Sequence, residues 1–426
     1  MAFLLAISSP APLHAELLTI EERGGLSGAY FYPDHGPDSV EVYLIIKSGG
    51  FDEGDGPDGI AHYLEHLVWL STSAPDGQAT AARHEGAWIT PDITVYSLLG
   101  PPEDLDTFLA TIANVFALPS VDEHFMIEER DVVLREYDFR YADDTSYPIA
   151  RRLNRQLFGD APMGGSVAGT PETIATMTPA MAFALHARTH VPTNAVLFIT
   201  GKANIATVKR LVAKHLGDIP AGDPPPERAY ASFHGRREIS ETSVKNAPYE
   251  QIIYAKRVKL NTLIPRDELS VKLSLLESIL DSSREGSLAK PLHYDDFIAR
   301  WYHIEFLAIE PGEILFIFKA APDYGVVLSD LLNAFEDIVQ AIADKGIPKA
   351  TFDRIKKKRL SALHRGESRR ERVIRLVQDQ TAYDAAPIDP KTEDSRYEAI
   401  TLDDVNRLMQ AIAGPGDVAA ALISPE

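Results

Sequence analysis

No cysteine occurs among the 426 residues. That absence excludes disulfides, a thiol nucleophile and cysteine-held metal, so any transition metal must be held by histidine and carboxylate. It fixes no compartment, because reducing and oxidising surroundings both tolerate a cysteine-free chain. Basic charge is scarce too: 42 Lys and Arg stand against 62 Asp and Glu, a formal net charge of −20. Nucleic acid is therefore excluded as a main partner, since neutralising phosphates needs a basic surface. An acidic surface suits cationic peptides, although its commonest consequence is solubility. There is no run of about 18 apolar residues after the start, and no membrane span is expected.

What is there has globular proportions, with 45% hydrophobic and 24% charged residues, so disorder is not the expectation. Residues 1–16 form a short apolar, proline-bearing stretch without a basic opening, with the small residue Ala15 before a possible cleavage. They read as the remnant of an export signal, which implies a periplasmic or secreted protein; a cytoplasmic protein with a disordered leader is the alternative.

Periodicity predicts strands over 40–46, 94–99 and 195–200, and helices over 105–116, 122–140 and 206–216. A polar, proline-rich stretch, 223–240, reads as a linker. Beyond it the order recurs, with strands over 250–254, 301–309, 314–320 and 418–423 and helices over 271–280, 326–342 and 349–364. Gly59 pairs with Gly286, and Phe125 with Phe352, at one offset of 227 residues. This predicts an α+β protein of two homologous α/β-sandwich halves, 17–222 and 241–426. Each half is expected to be a mostly antiparallel sheet with helices on one face. At the same offset His62, Glu65 and Glu136 fall opposite Ala289, Leu292 and Leu363, so the second half reads as the same scaffold without the chemistry.

That chemistry centres on residues 59–70. Read as a helix, Ile60, Leu64, Leu67 and Val68 form a core stripe, and His62, Glu65 and His66 share a neighbouring face. Two imidazoles one turn apart can bind one zinc ion, and a carboxylate beside them can take a proton from water. The order His-x-x-Glu-His is the inverzincin arrangement. The third ligand should be a carboxylate on another element. In helix 122–140 the row Phe125, Glu129, Val132, Glu136 and Phe139 places two glutamates at core spacing, where an unpaired carboxylate is expensive. A helix rotated by one position would leave both in water.

With these motifs together, the chain resembles the pitrilysin family of zinc peptidases, which includes insulin-degrading enzyme and the mitochondrial processing peptidase. The matching stretches are residues 59–66, Glu129-x6-Glu136, Thr94-Val95-Tyr96, Gly169-Thr170-Pro171-Glu172 and residues 190–194. The resemblance implies a zinc endopeptidase acting on peptides, with one zinc ion per chain held by His62, His66 and Glu136. It makes Glu65 the general base and Glu129 a supporting residue beside the metal. Thr170 with Pro171 and Glu172 reads as a helix start.

Two departures stand out. The family's edge strand for substrate carries an asparagine, whereas residues 84–92 here have none. Gly86, Ala87, Trp88 and Thr90 are the remaining candidates for substrate contact, with Pro91 ending the pairing. Active relatives also carry an arginine and, seven residues on, a tyrosine in the second half; here His293 and Arg300 stand there. Tyr294 and Tyr302 lie close by but are not expected to compensate. The expectation is a subunit completed by a homologous partner as a heterodimer, or else a homodimer. The alternative is a non-catalytic peptide-binding or scaffold subunit. His84 and His124 are read as peripheral, and the basic run 356–359 as a solvated face.

Overall fold

The strand Ala195–Gly201 is apolar along nearly its whole length, and every one of its residues is buried. Such a strand needs cover on both faces of its sheet. The computed structural model describes residues 16–34, 38–73, 84–120, 122–228, 230–363, 368–385 and 390–426. Apart from Glu16, the expected leader lies outside them.

The first half runs β1 (Leu18–Thr19), β2 (Gly28–Pro33), β3 (Val40–Ile46), α1 (Ile60–Ser73), β4 (His84–Ile89), β5 (Thr94–Gly100), α2 (Leu105–Ala113), α3 (Glu123–Tyr141), α4 (Tyr147–Phe158), α5 (Pro171–Thr176), α6 (Pro179–Thr189), β6 (Ala195–Gly201) and α7 (Ile205–Leu216). Its sheet has the order β1-β2-β6-β3-β5-β4, antiparallel except where β2 lies beside β6. The second half runs β7 (Arg237–Val244), β8 (Gln251–Lys259), α8 (Arg266–Leu280), β9 (Ala299–Glu310), β10 (Glu313–Pro322), α9 (Leu328–Lys345), α10 (Lys349–Ala362), α11 (Arg369–Ala382), α12 (Pro390–Ala399), α13 (Leu402–Ala413) and β11 (Asp417–Pro425). Its sheet, β7-β11-β8-β10-β9, is antiparallel except for β7 beside β11. The order β2-β6-β3-β5-β4 is therefore repeated strand for strand, parallel pair included. β7 starts at Arg237, inside the stretch 223–240 that reads as linker.

The pairing of helices corrects the fixed offset. α8 packs on β9, α10 and α13, as α1 packs on β4, α3 and α6. The counterpart of α1 is thus α8, which starts at residue 266 against 60, while α10 starts at 349 against 123 for α3. Loops of different length make the spacing drift. Gly286 lies in the loop after α8 and His293 in a short π-helical turn, Lys290–Asp295, so neither belongs to a twin of residues 59–66.

Cover on one face is the second correction. The main core of each half lies between its sheet and its own helices. The opposite face of each sheet is covered by one helix from the other half. Ile149, Leu153, Leu157 and Phe158 of α4 pack on Ile253, Ala255, Leu315, Ala419 and Ile423 of the second sheet. Val373 and Val377 of α11 pack on Tyr32, Ile45, Val95 and Phe198 of the first. The connecting segment is also tied down: Arg228 pairs with Asp52 at 2.9 Å and Asp92 at 2.6 Å, and Arg266 of α8 meets Asp92 at 3.0 Å. Among the described residues no helix is long and apolar enough to cross a membrane.

Candidate metal centre

α1 is held at its start by a buried carboxylate. Glu53 Oε1 accepts from the backbone N–H of Gly59 (2.9 Å) and Ala61 (3.1 Å), two donors that the first helical turn leaves unpaired. Gly59 has φ +91°, and a Cβ there would stand 2.8 Å from the Cα of Gly169. Only glycine suits that approach. Gly169 precedes α5, whose cap forms as the sequence indicates: Thr170 accepts from the Thr173 N–H at 3.1 Å.

Ile60, Leu64, Leu67 and Val68 are all buried in the core, as their spacing requires. That turns His62, Glu65 and His66 toward α3, and the Tyr63 hydroxyl, donating to the Met126 carbonyl at 2.5 Å, fixes the two helices together. α3 itself departs from the expected row. Met126 and Val133 are its buried residues, while Phe125 and Phe139 are 55% and 92% exposed. The helix is rotated by one position, which puts the Glu129 and Glu136 side chains on the flank of the buried row rather than in it or fully in water.

On that flank the donors converge. His62 Nε2 lies 3.3 Å from His66 Nε2, and Glu136 oxygens lie 3.7 Å from each. One ligand atom from each of the three residues can be chosen within 4.8 Å of the others. Donors about 2.0–2.1 Å from a tetrahedral zinc stand roughly 3.3–3.4 Å apart, so the set fits a single small dication. His66 Nδ1 is 2.7 Å from Glu129 Oε1, so this nitrogen carries the proton and the Nε2 lone pair faces His62. His62 Nδ1 is buried without a partner. With the His66 Nε2 lone pair aimed at it across 3.3 Å, His62 Nε2 either donates a proton to that nitrogen or shares a cation with it.

Electrostatics separate the roles. Burial pushes His62 down to about 3, helped by the positive charges His66 and Arg140 would contribute, so it is a neutral donor at any ordinary pH. Burial also disfavours charge on His66, but its hydrogen bond to Glu129 and the nearby carboxylates outweigh that and raise it. Glu65 is pushed up to about 7 by burial, against the pull of His66. Its Oε2 is 4.0 Å from His62 Nε2 and 3.9 Å from His66 Nε2, leaving room for a water between carboxylate and centre.

These residues line a cleft of about 370 Å³ with Trp69, Leu70, Ala87, Trp88, Ile89, Glu129 and Arg140. Of the expected substrate residues, Ala87 and Trp88 reach the cleft. Gly86 and Thr90 do not, whereas Ile89, unremarked in the sequence, does. β4 is the outermost strand of its sheet and ends at Ile89, before Pro91. Behind the cleft, Trp69 stacks on Tyr96 with ring centres 6.0 Å apart, and the Tyr96 hydroxyl donates to His190 Nε2 at 2.9 Å. The motifs at residues 94–96 and 190–194 therefore meet as a buried support for the wall.

Among the described residues, none from the second half lines this cleft. His293 Nδ1 donates to the Ala299 carbonyl at 3.1 Å, Arg300 lies over the Tyr249 ring at 5.3 Å, and the Tyr302 hydroxyl donates to Asp281 at 3.0 Å. His124 is on the surface beside Glu128 at 3.2 Å, and the His84 side chain lies outside the described residues. The run 356–359 is not simply solvated: Lys356 donates to the Glu398 and Ile400 carbonyls, and Arg359 to Ser274 Oγ. Arg140 lines the cleft too, and like Ile89 it is not singled out by the sequence motifs. The signal for it is its place one turn after Glu136.

Two family models match the chain: insulinase (peptidase family M16) over residues 32–171, and peptidase M16 inactive domain over residues 176–359. An uncharacterized zinc protease of Mycobacterium leprae is 30% identical over 185 residues, 42% of this chain and 41% of the relative. The match thus spans about two fifths of the length of that curated relative. A protease from Helicobacter pylori has the same fold, with a TM-score of 0.79 at 18% identity, covering 96% of this chain and all of that one. The periplasmic protease PqqL from Escherichia coli superposes with a TM-score of 0.74 at 18% identity, over 97% of this chain and 48% of its own.

Proposed function

Because the chain belongs to the insulinase (M16) peptidase family, we propose that it is the zinc-bearing subunit of a metalloendopeptidase that hydrolyses short or unfolded polypeptides. The observation that carries this reading is the convergence of His62, His66 and Glu136 with a buried Glu65 just outside them. Zinc would be held by those three residues, which leaves one coordination position open, and would supply a Lewis acid that makes water nucleophilic near neutral pH.

The chain's own groups account for the rest. Glu65, held by burial near 7, accepts a proton from the attacking water and delivers it to the leaving amine nitrogen. Glu129 fixes the His66 tautomer and ring. The outer edge of β4 pairs with an extended peptide, with Ala87 and Trp88 facing the cleft and Gly86 continuing the backbone contact, whereas the Thr90 N–H and carbonyl are already paired with the Ile93 carbonyl and the Gly50 N–H. A homologous partner, or a second copy, completes the chamber. Periplasmic or secreted location belongs to the same proposal, supported by the apolar start and by the periplasmic relative.

The test is a quenched peptide library incubated with the protein alone and with a homologous second subunit. Cleavage by one of the two preparations, abolished by Glu65→Gln without loss of zinc, is expected. Zinc binding without hydrolysis in either preparation would favour a peptide-binding scaffold instead.

A further inference from the structure

We propose that Arg140 is the cation that holds the scissile carbonyl, taking the place left empty by the second half. The inference rests on the zinc-peptidase reading above. Amide hydrolysis builds negative charge on the carbonyl oxygen, and a positioned donor aimed at that charge is usually a large catalytic contribution. Apart from the histidines, Arg140 is the only basic side chain lining the cleft among the described residues. The second-half groups His293, Arg300 and Tyr302 are turned to Ala299, Tyr249 and Asp281.

The placement of Arg140 follows from the helix. Residues i and i+4 lie one above another, so Arg140 stands directly beyond Glu136, with Nη2 3.2 Å from Glu136 Oε2. A Glu136 oxygen is in turn 3.7 Å from His62 Nε2, so the guanidinium borders the centre itself. Its charge is felt there, pulling both Glu65 and His62 toward lower pKa. Once Glu136 shares its charge with a dication, the ion pair to Arg140 weakens. A planar guanidinium with five N–H donors can then turn to a carbonyl oxygen while staying beside the ligand. The side chain is 55% exposed, so the turn meets no packing obstacle.

The experiment compares zinc-loaded wild-type protein with Arg140→Ala and Arg140→Lys. Zinc affinity is read by chelator competition, and kcat and KM by peptide cleavage. Affinity for a phosphinic peptide, a stable mimic of the tetrahedral anion, is read by calorimetry in a Glu65→Gln background, beside its parent peptide. The phosphinic arm decides even if turnover needs a partner. Arg140→Ala is expected to keep zinc and parent-peptide affinity within about threefold. Its kcat and phosphinic affinity should fall by roughly 10²-fold or more, with partial rescue by lysine. Unchanged phosphinic affinity would overturn the proposal, as would a fall matched by equal loss of zinc, which would make Arg140 only a support for Glu136. A wild-type protein that takes up no zinc would overturn the zinc-peptidase reading first, and this inference with it.

Discussion

Single residues decide the chemistry of this site, and most of them can be read from spacing. His62, Glu65 and His66 are legible as candidates because Ile60, Leu64, Leu67 and Val68 beside them are buried as a core stripe. Glu129 and Glu136 were legible as candidates, but the row chosen for α3 was one position off; Phe125 and Phe139 are exposed. Apolar residues on a helix surface mislead periodicity, and only the packing of Met126 and Val133 fixes the rotation. The half-buried position of Glu129 predicts that Glu129→Gln weakens zinc binding by about 10- to 100-fold while leaving the fold intact; chelator competition with circular dichroism checks it. Glu65 must be ionised to accept a proton, so kcat/KM falls as pH drops through its pKa. Burial sets that near 7 in the metal-free site, and a neighbouring dication lowers it. The acid limb is expected below pH 7; activity that rises on acidification would contradict the assignment.

His186 and His190 show how buried histidines tie stability to pH. Burial holds both below the ordinary value of 6.5, with His190 well below it. The unfolded chain takes up protons below about 6.5 that the folded chain refuses, so stability is lost as pH falls through that value. The expected loss is about 1.4 kcal/mol per pH unit for a histidine whose folded pKa lies far beneath, as for His190. Urea midpoints of metal-free wild type and His190→Gln at pH 7, 6 and 5 test this, because the raised Glu65 and His66 act in the opposite sense and cancel in the comparison. A difference between the two proteins that does not change with pH would contradict it.

At the scale of elements, what the sequence showed was order, and what it hid was docking. Strands such as Val40–Ile46 and Glu313–Pro322 announce themselves by β-branched and aromatic runs. α4 and α11 did not stand out, because their burial depends on a sheet belonging to the other half. Composition cannot say which sheet a helix will cover. The same limit misplaced the twin of α1, since a fixed offset ignores loop length. The loop before α1 is held by Glu53 and by the contact of Gly59 with Gly169. Gly59→Ala would force a Cβ against backbone in a left-handed conformation, costing about 1–3 kcal/mol and shifting α1 against α3. Zinc affinity is expected to fall more steeply than the melting temperature suggests, because the proposed ligands sit on those two helices.

For the molecule as a whole, the exchange of α4 and α11 predicts one cooperative unit rather than two independent halves. Leu153 on α4 and Val377 on α11 are almost fully buried against the opposite sheets. Leu153→Ala should destabilise by about 2–5 kcal/mol, and Val377→Ala by a smaller amount, each shifting a single calorimetric transition. A first or second transition moving alone would show that the halves unfold separately. The duplicated sheet order could be read in outline from the sequence, while the interlock could not.

The central claim is that His62, His66 and Glu136 together hold zinc. Zinc-edge X-ray absorption on the purified full-length protein tests it most directly. One zinc per chain is expected, with two imidazole nitrogens and a carboxylate oxygen at about 2.0–2.2 Å. Glu136→Gln should lower the zinc content. Absence of stoichiometric zinc, or a first coordination layer without imidazole, would contradict the account.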